Sequence, residues 1–147
     1  MANHAIRFEY RRRGPDDAFE VVPAIDGTAL TTLIDRFELA AGMHPAGGAY
    51  GGLVPSFFRH DSMNDLFHGT SDFGLGVDTP LLACDCGDVG CWPLMARITL
   101  AGDLVIWSHF RQPHRPTRDY SSFGPFMFDR EQYDAAVDDL GVAVEAS

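Results

Sequence analysis

The stretch from Leu94 to Phe110 constrains the fold more than any other part of this chain. Leu94, Ala96, Ile98 and Leu100 recur at every second position, Ala101-Gly102-Asp103 follows, and Leu104 to Phe110 returns with a second apolar run. Period-two alternation interrupted by a glycine-bearing turn specifies an antiparallel hairpin. Apolar residues fall on both faces of it in places, so the hairpin is expected to be a central, covered part of a sheet.

Further strands can be read around this hairpin. Ile6, Phe8 and Tyr10 alternate with polar neighbours, and Phe19 to Ile25 forms another extended run after the turn signal Gly14-Pro15-Asp16-Asp17. Leu81 and Leu82 read as a short strand, and Pro125 to Phe128 as another. Leu30, Leu33, Ile34, Phe37 and Ala41 repeat at three and four, with Gly42 placed to end the pattern, which predicts an amphipathic helix. A final helix starts at Asp129, a good N-cap with Gln132 three positions on. It buries Tyr133, Ala136, Val137 and Leu140 and closes at Gly141. A short helix is expected near Ser62 to His68 inside a glycine-rich irregular segment at about 42–80. The expectation is one α+β domain over residues 1–147, with a largely antiparallel sheet of about five strands and two main helices on one face.

Charge narrows the partners. The formal charge is -10, and the eleven basic residues are all arginines, because the sequence contains no lysine. A chain of this sign repels polyanions, which argues against nucleic acid as a partner. Schiff-base chemistry and Walker-type phosphate binding both need a lysine amine and are excluded. Arg11 to Arg13 reads as a solvated strand end. No run of about eighteen apolar residues occurs, and Met1 to Tyr10 lacks the layout of a secretory signal, so a cytoplasmic location with no membrane partner is expected.

The cysteines carry the main chemical lead. Cys84, Cys86 and Cys91 are all the cysteine in the chain, gathered in Cys-Asp-Cys-Gly-Asp-Val-Gly-Cys. Where thiols are kept reduced, an odd clustered set points to a metal or reactive site more than to disulfides. Cysteines at i and i+2 on extended backbone share a side, and the third can fold back onto it, so three thiolates could gather on zinc. A structural zinc needs a fourth ligand, for which His109 is the leading candidate beside His114, His68, Asp85 and Asp88. Buried structural thiols and a redox or nucleophilic cysteine are the competing readings, the last opposed by the negative neighbours Asp85 and Asp88. The face on which His109 lies depends on the hairpin turn. A two-residue turn sets it with Ile98 and Trp107, a three-residue turn opposite Ile98. Arg111, His114 and Arg115 form a candidate anion-binding set, since paired arginines grip a carboxylate or phosphate through parallel hydrogen bonds. Surface ion pairing is the plainer reading.

The sequence contains no His-Glu-x-x-His, Gly-x-Ser-x-Gly, Walker or dinucleotide motif. The segments Leu81 to Leu94, Val105 to Arg115 and Gly124 to Tyr133 resemble a family of small uncharacterised bacterial proteins. That family shares a Cys-Gly-x-x-Gly-Cys-Trp-Pro turn and a Gly-Pro-Phe-x-Phe-x-Arg-x-Gln-Tyr segment. The resemblance implies a bacterial, cytoplasmic single domain and carries no catalytic residue across. The expected function is a noncatalytic binding or interaction module with a cysteine turn that zinc would stabilise. The alternative is a hydrolase-type enzyme, thiol- or metal-dependent, with its site between the cysteine turn and His109 to Arg115. A protein partner is expected, and a homodimer is compatible with the apolar central hairpin.

Overall fold

The computed structural model describes residues 3–12, 15, 18–44, 46–48, 50–55, 63–69, 78–84, 93–113 and 115–146, and the side chain of Cys84 is outside that description. The described elements run β1 (Ile6–Arg12), β2 (Phe19–Ile25), β3 (Thr28–Ala29), α1 (Leu30–Ala40), β4 (Tyr50–Gly51), α2 (Met63–Phe67), β5 (Asp78–Cys84), β6 (Leu94–Ala101), β7 (Leu104–Arg111), β8 (Phe126–Asp129) and α3 (Arg130–Glu145). The protein is α+β, with sheet outweighing helix.

The predicted single sheet is divided in two. One has the order β1-β2-β3 and the other β4-β5-β6-β7-β8, and every pairing within both is antiparallel. Two single bridges join them. His4 lies parallel to Phe128 of β8, and Val21 of β2 exchanges both backbone hydrogen bonds with Leu53, just past β4, at 2.7 and 3.0 Å. Hydrogen bonding therefore runs in a circuit from β1 through β2, β4, β5, β6, β7 and β8 back to the residues before β1. Both main helices pack on the three-stranded sheet, α1 on β2 and β3 and α3 mainly on β1, and α3 also reaches β7 and β8 of the other sheet.

The hairpin of β6 and β7 turns in two residues, Ala101 facing Leu104 with Gly102 at φ +58°. That backbone region suits glycine. Trp107, Tyr133, Phe67 and Phe128 are fully buried in one apolar cluster fed by both sheets and all three helices. The Trp107 indole N–H donates to the Tyr133 hydroxyl at 3.1 Å, and that hydroxyl donates to the Phe67 carbonyl, so the largest buried polar groups are satisfied.

Two helix-end expectations differ. Asp129 occupies the N-cap of α3 but makes no side-chain cap bond, because its carboxylate accepts from the Asn3 amide at 2.9 Å. Gln132, expected to reach back to the cap, instead pairs with both backbone groups of Ile6, at 2.9 and 2.7 Å, and so ties α3 to β1. The helix also passes through Gly141 to Glu145. A helical glycine costs only about 1 kcal/mol relative to alanine, and Leu140 and Val144 on either side pack against the core. Gly42, by contrast, ends the α1 turn at φ +73°, as predicted. No helix among the described residues is long and apolar enough to cross a membrane.

Candidate functional site

The site begins with an irregularity in β7. Arg97 faces Ser108 and Met95 faces Arg111, so two steps along β6 oppose three along β7, and one extra residue is accommodated. His109 takes up the slack at φ +55°, a conformation costly for a side-chain-bearing residue. The alternation of β7 shifts with it: Trp107 and Phe110 are both buried, while His109 and Arg111 between and after them are exposed. The two-residue turn was expected to put His109 on the face of Trp107. The bulge overrides that register and turns the imidazole outward.

The same bulge assembles a polar row across three strands. Asp78 of β5 faces Arg97 of β6, which faces Ser108 of β7. Arg111 reaches over this row, and its Nε donates to Asp78 Oδ2 at 2.5 Å, while Arg97 Nε lies 3.9 Å from Oδ1. The Asp78 side chain is 9% exposed, against 45% and 46% for the two arginines. Two guanidinium groups thus share one nearly buried carboxylate. Ser108 Oγ sits 2.8 Å from His109 Nδ1 beside them.

Ser108, His109 and Arg111 form one wall of a cleft of about 570 Å³, whose other wall is Arg118 to Ser121 with Phe123 and Pro125. This second wall has no regular structure, yet it is anchored from behind. Glu38, on α1 and 0% exposed, accepts the hydroxyls of Tyr50 and Tyr120 at 2.6 Å each and lies 3.3 Å from the Arg118 guanidinium. The Gln112 amide in turn donates to the Tyr50 hydroxyl. Since that hydroxyl spends its proton on Glu38, it needs a donor on its other side, which fixes the Gln112 amide with nitrogen toward it. Arg118 and Asp119 also border a wider depression of about 700 Å³ formed with Phe37, Ala40, Met43 and His44. One buried carboxylate thereby holds a loop between two concave surfaces.

Its electrostatics favour holding over reacting. Burial first, and then the hydrogen bond to Glu38, pushes the Tyr50 phenol far above its ordinary value. Burial raises Tyr120 as well, against the opposing hydrogen bond from Arg118. Both phenols stay protonated and act as donors. Burial works against the charge of Arg118, but its bond to Tyr120 and the nearby Glu38 outweigh it and raise the guanidinium. On the cleft rim, Asp119 is held below the usual carboxylate range by the Ser121 side chain and by the Ser121 backbone N–H at 2.9 Å.

Of the residues singled out in the sequence, Cys86, Cys91 and His114 lie outside the described residues, as do Asp85 and Asp88. Cys84 is the last residue of β5, facing Tyr50 of β4. The link carrying the other two cysteines leaves β5 and enters β6 at the sheet end where β7 finishes with Arg111. Among the described residues no group of three His, Cys, Asp or Glu is disposed to hold a metal ion. Arg115 donates its backbone N–H to Gln112 at 3.0 Å. His68 is engaged elsewhere: its Nε2 is 2.6 Å from Asp134 and its Nδ1 2.7 Å from the Asn64 carbonyl.

Glu38, Tyr50, Gln112, Arg118 and Tyr120 were not singled out. One signal was present in the helical pattern: Leu30, Ile34 and Glu38 fall at i, i+4 and i+8, so the buried stripe of α1 continues through an acidic residue. A buried carboxylate needs partners, and those come from β4 and from two positions in the loop after β7. No family model matches the chain, and no curated protein or solved structure matches it either.

Proposed function

We propose that the protein is a noncatalytic binding module that takes a polypeptide segment of a partner protein in the cleft between the His109 bulge and the Arg118–Ser121 loop. The observation that carries this reading is the anchoring of an irregular loop by the buried Glu38 network, with a concave surface on each side of it. A wall fixed in this way is preorganised for recognition, which lowers the ordering cost of association. The groups that fix it are mutually engaged, and their phenols are held protonated, so they serve as scaffold rather than as nucleophile or base. The net charge of -10 favours a protein over a nucleic acid as the occupant.

Selection of peptides from a random displayed library on the purified protein tests this. Enriched peptides should bind the native protein and lose at least about tenfold in affinity to Ser121→Trp, which fills the cleft, with the fold unchanged by circular dichroism. Failure to enrich any sequence, or binding indifferent to that substitution, overturns the proposal.

The thiol- or metal-dependent hydrolase has one observation in its favour. The chain link bearing Cys86 and Cys91 leaves and re-enters the sheet at the end where His109 and Arg111 lie. Zinc held by that link, in either reading, predicts about one metal per chain and thiols protected from alkylation, and metal-free, readily alkylated protein excludes it.

A further inference from the structure

We infer that the paired guanidinium groups of Arg97 and Arg111 form a subsite for a two-oxygen anion, a carboxylate or a phosphate, beside the cleft wall to which Arg111 belongs. The inference rests on the cleft reading above and gives its occupant a chemical class. Arg111 spends only its Nε on Asp78, and Arg97 holds its own Nε at a longer 3.9 Å from the same carboxylate. The terminal nitrogens of both groups have no protein partner among the described residues, and both side chains are nearly half exposed. A guanidinium that is oriented through Nε presents its two terminal N–H groups outward as a fork, the geometry that matches a carboxylate or phosphate.

Asp78 fixes the Arg111 guanidinium by the Nε hydrogen bond and holds Arg97 beside it by charge alone, at 3.9 Å. It is 9% exposed, so its carboxylate is a buried anchor rather than a competing surface charge. Two positive groups against one negative one leave a positive excess at the fork, which the rim carboxylate of Asp119 on the opposite wall only partly offsets, and at physiological salt the screening length of about 8 Å hides most of the distant acidic surface. The bulge is what makes the pair. Without the extra residue at His109, the alternation of β7 would send Arg111 inward and Phe110 outward. A conformationally costly histidine therefore coincides with an arginine fork that depends on it, as expected where strain serves a binding geometry.

The test follows the guanidinium Nε–Hε resonances of the full chain while malonate, and separately inorganic phosphate, is titrated at constant ionic strength with chloride as the balancing anion. Saturable shifts of Arg97 and Arg111 are expected, with a Kd on the order of 1–10 mM for so small and partly exposed a ligand, and with Arg36 unmoved. Saturation by malonate alone identifies a carboxylate site, saturation by phosphate alone a phosphate site, and saturation by both a general oxyanion site. Arg97→Gln should weaken binding at least about tenfold, and Arg111→Lys, which keeps the charge but loses the fork, should do the same. Non-saturating shifts, shifts equal to those of Arg36, or affinity unchanged in Arg97→Gln would overturn the inference. Peptide binding lost in Ser121→Trp but retained in Arg97→Gln, with no anion saturation, sinks this subsite and spares the cleft. Anion saturation without peptide enrichment does the reverse.

Discussion

Replacing Glu38 with alanine should be among the most damaging single substitutions in this protein, although Glu38 is the kind of residue usually found at the surface. Its Oε2 accepts two phenol hydroxyls at 2.6 Å and lies 3.3 Å from the Arg118 guanidinium, all within a site where Glu38 is fully buried. Hydrogen bonds to a charged group contribute about 1.5–3 kcal/mol each. The two phenols alone therefore suggest about 3–6 kcal/mol, from which relief of the carboxylate's own desolvation subtracts. Alanine also leaves the Arg118 charge without its counterion, in a side chain only 9% exposed. The expected loss is about 3–5 kcal/mol, which in a chain of this size lowers Tm by roughly 10–15 °C. Urea unfolding should show the midpoint falling with its slope unchanged. The double mutant with Tyr120→Phe should be less damaged than the sum of the singles by about 1–2 kcal/mol, because both remove the same bond. A loss below about 1 kcal/mol, or strict additivity, would refute the view that this carboxylate holds the loop.

Three further outcomes follow from other parts of the molecule. Gly52→Ala should destabilise by about 2–3 kcal/mol in thermal melts, since a Cβ there would sit 2.5 Å from the Val21 carbonyl and 2.8 Å from a Val22 methyl, and a neutral result would show that the β2 seam yields freely. His109→Gly should stabilise by about 0.5–1 kcal/mol by relieving the φ of +55°, and destabilisation measured in urea would mean that the imidazole contributes more than its backbone costs. Burial alone would raise the Asp134 carboxyl, but hydrogen bonds from His68 and Arg130 lower it below its ordinary value. A carboxyl lowered in the folded state contributes stability that is present above its unfolded value near 4 and is lost as the pH falls below that through the folded value. With the Asp134 side chain 41% exposed, Asp134→Asn should cost under about 1 kcal/mol at neutral pH and nothing near pH 2, and a cost that persists in acid would assign the effect to packing instead.

Local pattern carried most of the architecture. The central hairpin, the β1–β2 pair, the stripe of α1 and the Tyr133 face of α3 each show a period set by their own residues, and each appears at the expected place. What pattern could not carry was set by contacts between distant segments. β3 and β4 are two residues long, too short to show any period, and exist because β2 and β5 offer them edges. The bulge at His109 leaves no mark in the alternation of Leu104 to Phe110 until the burial of Phe110 is known. Gln132 reads equally as a capping residue and as a partner for Ile6, and only the position of β1 decides. The candidate site was half legible. Arg111 and His109 stood out by residue type, whereas Arg97, Asp78 and the Glu38 partners are spread over β4, β5, β6 and the loop after β7, so their convergence is a property of the strand order.

The circuit of strands has a consequence for behaviour in concentrated solution. Exposed sheet borders are the usual template on which a foreign strand adds and aggregation starts. Here the borders are β1 and β3 of one sheet and β4 and β8 of the other: β3 and β4 offer only two residues each, the Ile6 end of β1 is held by the Gln132 side chain, and the free side of β8 is partly occupied by the His4 amide bound to the Met127 carbonyl at 2.8 Å. Among the described residues the run of β1 beyond Ile6 is the longest stretch of edge, and its charged side chains Glu9, Arg11 and Arg12 stand where lysine gatekeepers, absent from this chain, would otherwise serve. Loss of the short N-terminal stretch around His4 would uncover the free side of β8 as well and so add a second stretch on which another molecule could pair.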